Sequence, residues 1–226
     1  MAHEHDVAIV GGTGDLGFAL GLRLAAAGLA VVLGSRDAER AAGAAAEVQS
    51  RVPGARVRGA HNADAAGAAG AVVLAVPFES QARTIGDLRE ALSAGQVLID
   101  ATVPLATAVG GRPTQTVAVW AGSAAQQAQA LVPDGVRVVS ALHTVAAASL
   151  ADLDRALDED VLVCGDRADD KAVVAALLDR IPGLRCVDAG RLEMSRVVEQ
   201  LTALMISINI RHKAHAGIRI AGLPSA

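Results

Sequence analysis

Short apolar runs alternate with longer alanine-rich segments along the first two thirds of the chain, a rhythm that predicts strands and helices in turn. Asp6–Val10 reads as a strand, followed by a glycine turn and a helix from about Leu16 to Ala27 that Gly28 stops. Ala30–Gly34 reads as the second strand, and Asp37–Arg51 as a helix with Asp37 as its N-cap. Arg56–Gly59 and Ala71–Val76 are the third and fourth strands, the latter ended by Pro77. A helix over Phe78–Leu92, a strand over Gln96–Asp100, a helix near Gln115–Leu131 and a strand over Val136–Ser140 complete the series. Such alternation implies α/β architecture, a Rossmann-type doubly wound parallel sheet covered on both faces.

After Leu142 the texture changes. Asp160–Cys164 and Leu184–Asp188 read as strands, Asp169–Arg180 as a helix, and Leu192–His212 as a strongly apolar helix. The expected organisation is a nucleotide-binding domain over residues 1–140 and a small C-terminal α/β domain over 141–226. A helix as apolar as Leu201–Ile210 must pack into a core or a subunit interface, so a homodimer is expected.

Composition narrows the classes. Hydrophobic residues make up 52% and charged residues 19%, enough apolar material for a substantial core. One Trp, two Phe and no Tyr leave no stacking platforms for single-stranded nucleic acid, and a net charge of −4 without a basic run disfavours phosphate tracking. No apolar stretch reaches membrane-spanning length. Met1–Asp6 lacks the basic region and apolar core of a signal peptide, and Cys164 and Cys186 have no metal-type spacing, so a reducing cytoplasm is expected. His3 and His5 have the spacing of a metal clip but read as a solvated chain start, and no metal is expected.

The chemistry concentrates after the first strand. Gly12-Thr13-Gly14-Asp15-Leu16-Gly17 is a complete GxGxxG between a strand and a helix. Gly12 permits the tight turn, Gly14 the approach of a pyrophosphate, and Gly17 the packing of helix on strand, while the helix N-terminus offers free amides. At the end of the second strand, where an NAD site places a carboxylate for the ribose hydroxyl, stand Gly34-Ser35-Arg36. A hydroxyl and a guanidinium suit a 2′-phosphate, and Arg40 lies one turn further on the same helix face, so NADP(H) is the expected dinucleotide. Val76-Pro77 and Thr102-Val103-Pro104 end strands at the carboxyl edge where such ligands sit, and Phe78 is placed to wall the nicotinamide. His143 follows a strand at the same edge. It is read equally as a partner for a polar substrate group, as an acid or base, or as a tie for the loop.

These segments together resemble a known family. Val7–Gly17, Gly34-Ser35-Arg36, Val76-Pro77, Ser140-Ala141-Leu142-His143-Thr144, Val163-Cys164-Gly165-Asp166 and Asp188-Ala189-Gly190 occur in the order found in the NADPH-dependent reductases of coenzyme F420. The resemblance implies direct hydride transfer between NADP(H) and the 8-hydroxy-5-deazaflavin of coenzyme F420, in a dimeric protein with the deazaflavin between a Rossmann domain and a small second domain. It implies Thr13, Gly14, Asp15 and Leu16 on the pyrophosphate, and Ser35, Arg36 and Arg40 on the 2′-phosphate. Val76 and Pro77 would lie near the nicotinamide, and His143 and Val145, with Pro104 and Phe78, near the deazaflavin. Three departures from the family's common pattern stand out: Phe78 where Trp is frequent, Val145-Ala146 where Ile-Pro is frequent, and Asp15 where Asn is frequent. The residues by themselves also admit an NADPH-dependent reductase of an imine or keto acid on the same scaffold, or a redox sensor that binds NADPH without turnover.

Overall fold

The computed structural model describes residues 5–223, so His3 lies outside it. A single eight-stranded sheet runs through the molecule: β1 (Val7–Val10), β2 (Val31–Ser35), β3 (Val57–His61), β4 (Ala71–Leu74), β5 (Val97–Asp100), β6 (Arg137–Ser140), β7 (Glu159–Cys164) and β8 (Leu184–Gly190). The spatial order is β3-β2-β1-β4-β5-β6-β7-β8. The first six strands are parallel in the 3-2-1-4-5-6 order of a dinucleotide-binding sheet, whose order reverses between β1 and β4. Helices α1 (Asp15–Ala26), α2 (Ala38–Arg51), α3 (Asn62–Gly67), α4 (Phe78–Asp87), α5 (Ala124–Leu131), α6 (Ala147–Ala151), α7 (Ala168–Leu178) and α8 (Ser195–His212) surround it.

Val7–Val10 and Ala71–Leu74 are buried along their whole length, as continuous apolar strands inside a parallel sheet must be. Two apolar clusters lie on either side, one holding Ile9, Leu20 and Leu33, the other Val10, Leu74 and Ile85. The packing of α1 is close because Gly21 sits against Leu33; a Cβ there would come within 2.6 Å of its Cδ2.

The C-terminal third continues the same sheet. β7 pairs with β6 antiparallel through Ser140 and Cys164, and β8 then runs parallel to β7. The change of texture after Leu142 therefore marks a reversal of strand direction within one sheet. Four stretches differ from the sequence reading. Residues 115–123 are not helical: Thr116 pairs with Leu105, Gly122 has φ +102°, and α5 begins only where the Ser123 hydroxyl accepts from the Gln126 amide at 3.0 Å. α4 stops at Asp87, beside Gly86, rather than at Leu92. The short helices α3 and α6 lie in segments without a periodic pattern long enough to read.

α8 buries Val198, Ala203 and Met205 but leaves Val197, Leu204 and Ile210 at 46%, 53% and 64% exposure. Among the described residues, no helix is long and apolar enough to cross a membrane.

Candidate dinucleotide and deazaflavin sites

The chain leaves β1 through Gly11, whose φ of +80° makes the tight turn. This corrects the role given to Gly12: Gly12 instead lies against β2, where a Cβ would come 3.0 Å from the Leu33 Cα. Gly17 performs the packing role read for it, since a Cβ there would meet the Gly11 carbonyl oxygen at 2.4 Å. Gly14 is the extended N-cap of α1, and no side chain caps this helix end. Its first-turn amides and the positive end of the helix are thereby left to face an anion. Asp15 is exposed in that turn, and Leu16 packs on the core.

Sequence reasoning missed Asn62, the first residue of α3. Its Oδ1 accepts from the Gly11 amide at 3.3 Å and would lie 2.8 Å from a Cβ on Gly34. The signal was its place just after β3, the strand beside β2.

Ser35 ends β2 and is buried; its Oγ accepts from the Asp37 amide at 3.2 Å, and Thr13 Oγ1 approaches it at 3.4 Å. Asp37 turns into α2 as read, accepting from the amides of Glu39 at 2.9 Å and Arg40 at 3.2 Å. Its carboxylate is therefore engaged at the helix end, while Arg36 and Arg40 remain exposed. One cavity of about 350 Å³ brings together Gly11, Thr13 and Gly14 with Ser35, Arg36 and Arg40, and reaches Val76 and Pro77 on the other side. His61, Asn62 and Arg83 also line it. Thr13, Gly14, Ser35, Arg36, Arg40, Val76 and Pro77 thus share one continuous hollow, whereas Asp15 and Leu16 are not part of its lining.

The four deazaflavin candidates come from the carboxyl ends of the adjacent strands β4, β5 and β6. Phe78 is half-buried at the start of α4; Pro104 is buried, its carbonyl accepting from the Val117 amide at 2.8 Å. Val145 is buried and packs into the core. His143 is 5% exposed, and neither ring nitrogen completes a hydrogen bond among the described residues. Burial pulls its pKa down to about 4, against a smaller opposing effect of the Thr102 backbone. A neutral imidazole with both nitrogens unmet is costly in isolation and suited to a polar group brought by a ligand. Leu142, just before it, is one of two non-glycine residues with positive φ among those described, at +73°.

A family profile described as NADP oxidoreductase, coenzyme F420-dependent, matches residues 6–104. The F420-dependent NADP reductase of Methanothermobacter marburgensis is 42% identical over 96% of this chain and 99% of its own. The chain belongs to the F420-dependent NADP reductase family. The reductase of Methanocaldococcus jannaschii is 41% identical over 96% of this chain and 98% of its own. A solved structure from Arthrobacter sp. FB24, provisionally assigned as an F420-dependent NADP reductase, superposes with a TM-score of 0.80 at 30% identity, covering 96% of this chain and 99% of that one. Membership of this reductase family thus extends through β7, β8 and α8 as well as the Rossmann portion.

A second cluster was not legible in the sequence. Gln81, Asp100 and Thr102 are buried together: Gln81 Nε2 lies 3.0 Å from Asp100 Oδ2 and 2.8 Å from Thr102 Oγ1. Glu199 of α8 is buried beside them, accepting from the Ala124 and Ala125 amides at the start of α5. Burial pushes both Asp100 and Glu199 up to about 7, with the charge of Asp100 a further cause for Glu199. Among the described residues no group of His, Cys, Asp or Glu is arranged to hold a metal. His5 pairs in the backbone with Ala69 and accepts from Arg58 at 3.3 Å. Both cysteines are free; Cys164 is buried, Cys186 half-buried, and burial raises the pKa of each.

Proposed function

We propose that the protein transfers a hydride between C4 of NADP(H) and C5 of the deazaflavin of coenzyme F420, with one proton taken up as the deazaflavin is reduced. One observation carries the reading: the glycine-loop cavity opens at the end of β2 onto Ser35, Arg36 and Arg40, with the adjoining carboxylate, Asp37, turned into α2, in a chain whose full-length relatives are named for this reaction. The redox chemistry belongs to the two cofactors. The chain's part is to bind, orient and exclude water. Gly14 and the first amides of α1 receive the pyrophosphate; Ser35, Arg36 and Arg40 receive the 2′-phosphate through charge-assisted bonds. Val76 and Pro77 give the nicotinamide an apolar wall. His143, neutral at physiological pH, offers one ring nitrogen as donor and the other as acceptor to the deazaflavin, and Phe78, Pro104 and Val145 shape its surroundings. Proximity and orientation then supply most of the rate.

In this reading residues 1–140 hold the dinucleotide and 141–226 complete the cleft. The exposed apolar residues of α8 favour a homodimer, and free, unpaired cysteines favour a cytoplasmic setting. The test is an assay of purified protein with NADPH and oxidised coenzyme F420, following deazaflavin absorbance. Bleaching with NADPH and little with NADH is the expected result. Saturable NADPH binding without bleaching would remove the deazaflavin from the reading. Turnover of an imine or keto acid without deazaflavin would replace it.

A further inference from the structure

Gln81 and Glu199 are sealed inside the protein at 0% and 2% exposure, and no cation faces either in a salt bridge among the described residues. Polar groups this deep are kept where hydrogen bonds offset their desolvation. Here the bonds join end to end. The Gln81 amide donates to the Ala124 carbonyl at 2.9 Å, and its own oxygen accepts from Gln127 at 2.9 Å. Glu199 accepts from the backbone amide of the same Ala124 at 2.9 Å and from that of Ala125 at 3.1 Å.

Both ends of this chain of bonds reach a ring site. Gln81 lies one helical turn beyond Pro77 and Phe78 at the start of α4, so its side chain fixes the end of the helix that carries the nicotinamide wall. Glu199 lies one turn before Thr202 on α8, and Thr202 Oγ1 donates to the His143 carbonyl at 2.7 Å. A continuous path therefore runs from Pro77, through Gln81, Ala124, Glu199 and Thr202, to His143. It bypasses the sheet, where β5 separates β4 from β6. Loop tips beyond strand ends are held by side chains, not by the ladder, and this path is such a hold.

We infer that Gln81 and Glu199 are positioning residues that set the spacing between the nicotinamide wall and the deazaflavin wall. The inference rests on the hydride-transfer reading above. Hydride transfer requires the reacting carbons about 3–3.5 Å apart, and a misplacement of about 1 Å costs on the order of 100-fold in rate. Neither residue lines the cavity at the glycine loop, so loosening the path changes how the rings meet and not how NADPH is gripped.

Single-turnover hydride transfer from NADPH to oxidised coenzyme F420 tests this, with Gln81→Leu and Glu199→Gln compared with the unaltered protein. Binding of 2′,5′-ADP, which reports the phosphate site alone, is measured on the same samples. The expected result is a transfer step slowed about 10- to 100-fold with 2′,5′-ADP affinity within about twofold of normal. The deuterium isotope effect with 4-deuterated NADPH becomes more fully expressed, and the double variant is no slower than the slower single one, because both changes cut one path. Glu199→Gln preserves shape and one acceptor, so it carries the test if Gln81→Leu does not fold. Folded variants with a normal transfer rate, or with rate and 2′,5′-ADP affinity falling together, would overturn the inference. Failure of the unaltered protein to transfer hydride would instead overturn the reading beneath it, which the 2′,5′-ADP measurement separates from a simple loss of NADPH binding.

Discussion

Arg23 Nε, near the end of α1, donates a 2.8 Å hydrogen bond to the carbonyl of Leu150, at a separation of 127 residues. The same guanidinium reaches the carbonyls of Ser149 at 3.0 Å and Arg155 at 2.9 Å, and that of Asp152. It is 7% exposed, so it acts as a buried clamp between the dinucleotide helix and the segment that follows His143. Arg23→Leu leaves several carbonyls unmet and is expected to cost about 3 kcal/mol or more. Thermal or urea unfolding measures it; a loss below about 1 kcal/mol would show that water replaces the clamp freely.

Selectivity for NADPH is expected to reside in Arg36 more than in Arg40. On the proposed reading, Arg36→Ala would remove a charge-assisted contact worth about 1.5–3 kcal/mol, so the Kd for NADPH should rise about 10- to 100-fold while that for NADH stays within about threefold. Equal weakening of both dinucleotides would move the 2′-phosphate away from Arg36.

Two glycine-to-alanine changes should have opposite signs. Gly17→Ala drives a methyl to within 2.4 Å of the Gly11 carbonyl oxygen, which must push α1 off the loop. The expected loss is about 1–3 kcal/mol of stability together with most NADPH affinity. Gly43, inside α2, has nothing within 4 Å of its added Cβ. Gly43→Ala is expected to stabilise by up to about 1 kcal/mol, through helix propensity alone. Melting temperatures of the pair decide it.

The pH dependence of stability carries a definite sign. Asp100 and Glu199 are held up to about 7, so between about pH 4 and 7 the folded protein keeps protons that the unfolded chain has released. Their contribution is complete below about pH 4 and is lost as pH rises through about 7. His143, pulled down to about 4, works the other way and erodes stability as pH falls from about 6.5 to 4. Glu199→Gln removes one of the opposing slopes. The advantage of the unaltered protein over this variant should therefore shrink between about pH 5 and 8; a constant difference would show that Glu199 is ionised throughout.

The parts legible in the sequence are those whose cause is local. The strand–glycine–helix order at Val7–Ala26 and the cap at Asp37 each depend on neighbours within a few residues, and both form as read; Ser35 and Arg36 stand at the end of β2. Gly11 was overlooked because GxGxxG begins one residue later, although the left-handed turn falls before it. Arg23, Gln81 and Glu199 resemble any surface helix residues in the sequence. Their burial is decided by partners 127, 43 and 75 residues away, which no local pattern encodes. The helix expected at 115–123 fails because Gly122 and the Leu105–Thr116 bridge override an otherwise favourable alanine content.

As a mechanical object the sheet is uneven. β4 and β5 share four residue pairs and β7 and β8 share six, but β6 and β7 meet at Ser140 and Cys164 alone, reinforced by a 2.7 Å contact between the Ser140 and Ser195 hydroxyls. At that joint the backbone ladder contributes least to holding the sheet together. Cleft width is then set less by the ladder than by the side chains that cross the joint: the Ser140–Ser195 hydroxyl pair, the 2.6 Å ion pair of Arg137 with Asp170, the bonds of Glu199 to the Ala124 and Ala125 amides, and the Arg23 clamp.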